Sequence, residues 1–205
     1  MKELIDAISK IEWEMFHSTK NVGGPAWCQQ DYGSFLIMRT SQLGGWNEEC
    51  LESYLEDLEA AKESGENLMT LKYAYMMEST SPLEYAAIAD RLPAVDGEKK
   101  ELVEKLTAQT VKWADAFHKA YPLIGRASRP VHKEADNMYT TSAETYQRGE
   151  TSTYSLRTLK LLSKHYDECQ ARGVNLYTEI LKDTVSQLGY PSLEAAEDAQ
   201  RRQRG

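Results

Sequence analysis

The chain has 205 residues, a formal net charge of −8, 41% hydrophobic and 27% charged residues, and only 6 Pro and 12 Gly. That length and mix fit one folded helical or mixed domain and exclude a fibrous or disordered chain. An acidic chain must cluster Lys and Arg to neutralise phosphate, and here the only basic patch is Arg126, Arg129, His132 and Lys133, with Arg201, Arg202 and Arg204 reading as a solvated tail, so no nucleic-acid partner is expected.

Helical spacing dominates, and no segment shows convincing period-two alternation, which predicts an all-α fold. Leu4, Ile8, Ile11 and Met15 form the apolar stripe of a first helix. Residues 19–30, with Gly23, Gly24 and Pro25, read as a loop, and the next helix starts near Asp31, a residue type suited to an N-cap. Asn47 caps a helix carrying Leu51, Tyr54, Leu55 and Leu58. Ser81-Pro82-Leu83-Glu84 is a capping box with Pro at the first helical position. A long helix spans about 97–121 with Val103, Leu106, Thr110, Trp113 and Phe117 on one stripe. Residues 122–140, with Pro122, Gly125 and Pro130, are irregular, and helices follow at about 155–171, 175–188 and 192–202. Tyr73, Tyr75, Met76 and Met77 read as core packing.

Location follows from what the ends and cysteines carry. The opening MKELIDAISKIEWE has acids where a signal peptide is apolar, and no apolar run approaches a membrane span. Cys28, Cys50 and Cys169 are odd in number and contain no CxxC, so neither a disulfide framework nor a structural zinc site is expected. The expectation is a cytoplasmic protein without a membrane partner.

Self-comparison points to an internal duplication. The segment from Ile11 to His17 resembles that from Val111 to His118, Trp46-Asn47 matches Tyr154-Ser155, and Leu51 matches Leu159. Gly65-x-Asn67-Leu68-x-Thr70 matches Gly173-x-Asn175-Leu176-x-Thr178, and Ser81-Pro82-Leu83-Glu84 matches Pro191-Ser192-Leu193-Glu194. Caps and turns recur as well as apolar positions. The expected architecture is one all-helical domain over residues 1–205, built from two related halves at about 1–95 and 100–200.

Candidate chemistry lies in four places. Glu12 falls at the edge of the first apolar stripe and Glu14 on its opposite flank; a carboxylate beside an apolar face can serve as acid, base or ligand. Cys28 follows two glycines that permit close backbone approach, and Asp31 sits beyond it. Glu14-x-x-His17 and Asp115-x-x-His118 each place a carboxylate and a histidine on one helix face, the spacing used by carboxylate-bridged di-metal bundles. The stretch from Thr140 to Glu150 is rich in polar groups, with Glu144, Arg148 and Glu150, while Arg39 and Arg129 offer further anion anchors and Trp46 a flanking aromatic. No nucleotide-binding glycine motif, zinc-protease motif or nucleophile elbow is present.

The stretches from Ile11 to Arg39, from Ser41 to Tyr54, from Lys72 to Tyr85 and from Thr141 to Leu159 resemble a bacterial family of unknown function, and the similarity covers nearly the whole chain. Some relatives in that family sit beside nucleotidyltransferase-like domains, which implies work on a small polar substrate. The expected function is therefore an enzyme or ligand-handling protein for a small polar or anionic molecule. Glu12, Glu14, Asp31 and Cys28 would be its chemical groups, and Arg39, Trp46, Arg129, Glu144, Arg148 and Glu150 its binding groups. No cofactor is assigned. The alternatives are a di-metal oxidoreductase on Glu14, His17, Asp115 and His118, and a non-catalytic helical interaction protein.

Overall fold

The computed structural model describes residues 1–19 and 27–203, and the side chains of residues 27 and 28 lie outside that description. Among the described residues there are eleven α-helices and no strand. They are α1 (Lys2–Ser18), α2 (Tyr32–Gly44), α3 (Glu48–Ser64), α4 (Leu68–Thr80), α5 (Pro82–Ala86), α6 (Gly97–Ala120), α7 (Pro122–Ala127), α8 (Ala143–Thr151), α9 (Leu156–Ala171), α10 (Leu176–Gln187) and α11 (Leu193–Gln203). No helix among them is long and apolar enough to cross a membrane.

Polar caps set where most of these helices begin. The side chain of Asp31 accepts from the Ser34 amide at 2.9 Å, Asn47 from Cys50 at 3.0 Å and Asn67 from Thr70 at 2.9 Å. Later in the chain Ser142 accepts from Thr145 at 3.1 Å and Asn175 from Thr178 at 3.0 Å. Each such bond satisfies an amide the first turn leaves open and is worth about 1 kcal/mol. The Ser81 capping box does not form: Pro82 stands at the first helical position, but the Ser81 side chain makes no cap bond and α5 stops at Ala86. Ser81 also terminates α4, its amide bonded to the Met77 carbonyl, so its geometry is set by the preceding helix.

Gly65 and Gly173 occupy the left-handed region, at φ 77° and 69°, which only glycine enters without strain. Each turns the chain so that an asparagine two residues on caps the next helix and ties back to an earlier one. Asn67 Nδ2 donates to the Met15 carbonyl at 2.8 Å, and Asn175 Nδ2 to the Trp113 carbonyl at 3.0 Å.

Helix α1 packs against α2, α3 and α4, while α6 packs against α8, α9 and α10. Among the described residues the groups are joined chiefly by α3 on α9, α2 on α10 and α4 on α8. The main core gathers Ile8, Leu43, Leu51, Leu58, Leu106 and Leu159 between them, all essentially inaccessible. The stripe expected on α6 is realised, since Val103, Leu106, Thr110, Trp113 and Phe117 are all buried. A smaller core of Phe117, Ile124, Val185 and Leu193 seats α7 and α11.

Candidate functional site

Four helices carry a single charge on a buried face. Glu12 lies between Ile8 and Met15 on α1, Arg39 beside Leu43 on α2, and Lys72 between Met69 and Met76 on α4. Glu150 is on the buried face of α8. None is more than 3% exposed. An unpaired charge at such a position costs several kcal/mol, so the packing of α1, α2, α4 and α8 has to bring them together, and it does.

Arg39 is the hub. Its Nε and Nη2 donate to the two carboxylate oxygens of Glu12 at 2.6 and 2.5 Å, a bidentate pair. Its Nη1 donates to Glu150 at 2.8 Å and to Gln42 Oε1 at 2.7 Å. Lys72 Nζ lies 3.2 Å from the other Glu150 oxygen, and Gln42 Nε2 donates to that same oxygen at 3.3 Å. Two buried tyrosines complete the set: Tyr54 donates to Glu12 at 2.6 Å and Tyr154 to Glu150 at 3.0 Å. Trp46 packs its ring on both, with centroids 5.6 and 5.9 Å away.

The charges on Arg39 and Glu150 are fixed. Burial opposes the Arg39 cation, but Glu12 and Glu150 outweigh it and hold the guanidinium well above its ordinary value. Burial pushes the Glu150 carboxyl up, yet Arg39 and Lys72, helped by Gln42 and Tyr154, bring it down to about 2. Burial, and then the neighbouring carboxylates, push Tyr54 and Tyr154 well above the usual range. Glu150 is therefore a permanent anion near neutral pH and does not shuttle protons.

Above this network lies a more open rim. The Lys72 ammonium sits 3.8 Å from the Tyr146 ring centroid, and the Arg129 guanidinium lies over the same ring at 4.6 Å. Arg129 also donates to the Thr141 carbonyl at 3.2 Å, and no carboxylate among the described residues pairs with it. Arg148 bridges Glu104 and Glu144, each at 3.0 Å, and the Lys133 amide donates to Glu144 at 3.1 Å. The Ala143 and Glu144 amides bond to the carbonyls of Pro130 and Val131 at 2.8 and 3.0 Å, which fixes the preceding loop on the first turn of α8.

The profile of a family described as proteins of unknown function, DUF4125, matches residues 2–198. The chain belongs to the DUF4125 family. No curated protein and no solved structure matches it. The buried network and the rim both fall inside the DUF4125 match.

Of the residues singled out from sequence, Glu12, Arg39, Trp46 and Glu150 meet in the buried network; Arg129 stands over Tyr146, whereas Glu144 and Arg148 pair with each other and with Glu104 of α6, about 200° around α8 from Tyr146. Others stand apart. Glu14 is exposed and paired with Lys62 at 2.8 Å, which lowers its carboxyl. Asp31 is the N-cap of α2, bonded to the Ser34 amide and hydroxyl. The Cys28 side chain lies outside the described residues. The four residues of the di-metal reading do not gather. Glu14 faces Lys62, His17 Nδ1 is 3.2 Å from the Gln29 carbonyl, and Asp115 pairs with His132 at 2.9 Å. His118 packs against Gly125 with its Nε2 buried and unpartnered. Spacing put each pair on one face, but nothing in it makes the two faces meet. Among the described residues, the group of potential metal ligands that does form is His132, Glu134 and Glu144.

Lys72, Gln42 and Tyr146 were not singled out from sequence. Lys72 carried a usable signal, since it stands alone in the Leu68, Met69 and Met76 stripe of α4. Two surface grooves of about 490 and 260 Å³ lie between α6 and α9 and include none of these residues.

Proposed function

We propose that this protein handles a small polar anion, as a binding protein or an enzyme, at the rim where Arg129 and Lys72 share the Tyr146 ring. The observation that carries the reading is that pair of cations on one aromatic ring, 4.6 and 3.8 Å from its centre. Lys72 is neutralised from below by Glu150, whereas Arg129 is exposed and lacks a carboxylate partner among the described residues. A planar guanidinium held by stacking is preorganised for a carboxylate or phosphate. The buried network of Glu12, Arg39 and Glu150 serves as its rigid floor, and Arg148 and Glu144, which pair with each other on another face of α8, drop out of the reading. Glu14 and Asp31 drop out of the reading because a surface ion pair and a helix cap occupy them.

The test is a thermal-shift screen of carboxylates and phosphates, followed by calorimetry. One class of anion should raise the melting temperature in a saturable way, and Arg129→Gln should abolish the effect while the unliganded protein melts within a few degrees of the parent. No anion response, or an equal response in Arg129→Gln, would overturn the proposal.

We also read the chain as a duplicated unit. What supports this is reciprocity: α1 packs on α2, α3 and α4 as α6 packs on α8, α9 and α10, and α2 on α10 mirrors α8 on α4. The left-handed Gly65 and Gly173, each followed by a capping asparagine tied to α1 or α6, recur in the same places. A cytoplasmic setting fits the free, buried thiols of Cys50 and Cys169. A second reading, an interaction module, is favoured by Met138 and Tyr139, 71% and 87% exposed side by side at the tip of the turn closed by Asn137 and Thr140.

A further inference from the structure

We propose that His132, Glu134 and Glu144 bind a divalent first-row transition-metal ion, with Asp115 orienting the histidine from outside the coordination shell. This site stands independently of the anion reading and requires no other ligand.

The three residues come from the loop before α8 and from its first turn, and their potential ligand atoms lie within 4.8 Å of one another. Ligands about 2.0–2.2 Å from a metal sit roughly 3–3.5 Å apart in a tetrahedral shell. Closure therefore needs about an ångström of inward movement, within reach of the exposed His132 and Glu134 side chains. The backbone beneath them is already held, since the Glu144 amide bonds to the Val131 carbonyl and the Lys133 amide to the Glu144 carboxylate.

Three details separate this group from an incidental surface cluster. His132 Nε2 is 2.9 Å from Asp115 Oδ1. With that nitrogen donating its proton, Nδ1 keeps the lone pair a metal needs, the carboxylate–histidine–metal arrangement that fixes tautomer and ring orientation. Glu144 is held in place by Arg148 at 3.0 Å, itself braced by Glu104. The Glu134 side chain has no hydrogen-bond or ion-pair partner among the described residues and is free to close on an ion. One imidazole with two carboxylates suits zinc, manganese or ferrous iron, leaving further positions for water, and suits neither soft thiolate-seeking ions nor an all-oxygen calcium cage.

The experiment is calorimetric titration of untagged, chelator-stripped full-length protein with zinc chloride, paired with cobalt(II) titration read by visible absorption. One saturable equivalent is expected, with a cobalt spectrum of low coordination number. His132→Ala and Glu134→Ala should each abolish both signals, and Asp115→Asn should weaken zinc binding about 10–100-fold. His132 and Glu134 are exposed, so their variants should keep the parent's melting temperature and circular dichroism. Absence of saturable binding would overturn the proposal, as would binding that survives in both alanine variants.

Discussion

Arg39→Met is the sharpest test of the buried network. Methionine fills much the same length with no charge, so the change removes the hub while leaving little cavity. Four hydrogen bonds go with it, two to Glu12 and one each to Glu150 and Gln42. The consequences differ at the two carboxylates. Glu150 keeps Lys72, Tyr154 and Gln42. Glu12 keeps only the Tyr54 hydroxyl, at a site with no solvent exposure. Removing one partner of a buried ion pair costs about 3–5 kcal/mol, most of it the stranding of the other charge. Against a total stability of about 5–15 kcal/mol that is a large fraction, and for a chain of this size it corresponds to a melting temperature lower by about 6–20 °C. Glu12→Gln in the Arg39→Met background removes the stranded charge and should recover part of the loss, so the double-mutant cycle should show a coupling of about 1–3 kcal/mol. Urea denaturation of the four proteins measures all of this. A loss below about 1 kcal/mol for Arg39→Met, or strictly additive single changes, would refute the claim that Arg39 and Glu12 act as one buried unit.

Two further tests probe the same region. Gly149→Ala should destabilise by about 1–3 kcal/mol in urea denaturation, because a Cβ there would lie 2.7 Å from Met76 Cγ and 3.0 Å from the Lys72 backbone oxygen, which no rotamer change can move. Gly44→Ala, whose Cβ would meet nothing within 4 Å, is the matched control and should be neutral or mildly stabilising. The second test is acid titration. Glu150 is depressed from 4.5 to about 2, so its contribution is present above 4.5 and is lost as pH falls from there towards 2. The urea midpoint should drop across that interval, and Glu150→Gln, already weaker at neutral pH, should drop less; parallel curves would show that Glu150 is not the titrating group.

Many helix starts were legible in the sequence because local chemistry sets them, but α7 (Pro122–Ala127) lies in the stretch expected to be irregular. Asn47 and Asp31 cap where their side chains say they should, and the α6 stripe is buried as its spacing demands. The Ser81 box failed because the helix before it, not the one after, decides that residue's backbone. Candidate residues were legible one at a time, Glu12 through its place beside an apolar stripe and Arg39, Arg148 and Glu150 through residue type in polar surroundings, but their pairing was not. Arg39 and Glu12 are 27 residues apart, and Arg39 and Glu150 are 111 apart. No helical period links such positions; only the packing of α2 between α1 and its other neighbours does. Glu14 shows the converse: two residues from Glu12, it is turned about 200° around the helix axis and reaches solvent and Lys62 instead. The recurrent carboxylate–histidine spacing misled for the same reason, since periodicity describes one helix face and not what that face meets.

The distribution of charge argues for where ligands of each sign would go. Glu12, Glu150, Arg39 and Lys72 sum to zero inside the core, so the network attracts nothing net and holds its neighbours in fixed places. Surplus charge begins at the rim. Arg129 is a cation without a carboxylate partner among the described residues, in a chain whose net charge is −8. An acidic protein has carboxylates in excess, so an exposed arginine left unpaired and braced on Tyr146 is an attractive position for an anion from outside. Three residues along the chain the sign reverses: His132, Glu134 and Glu144, backed by Asp115, concentrate donors and negative charge suited to a cation. The segment between, Pro130 and Val131, is pinned to α8 through its carbonyls. The two neighbourhoods therefore sit on one fixed stretch of backbone, and occupancy of either one alters the electrostatic field at the other without any change of fold.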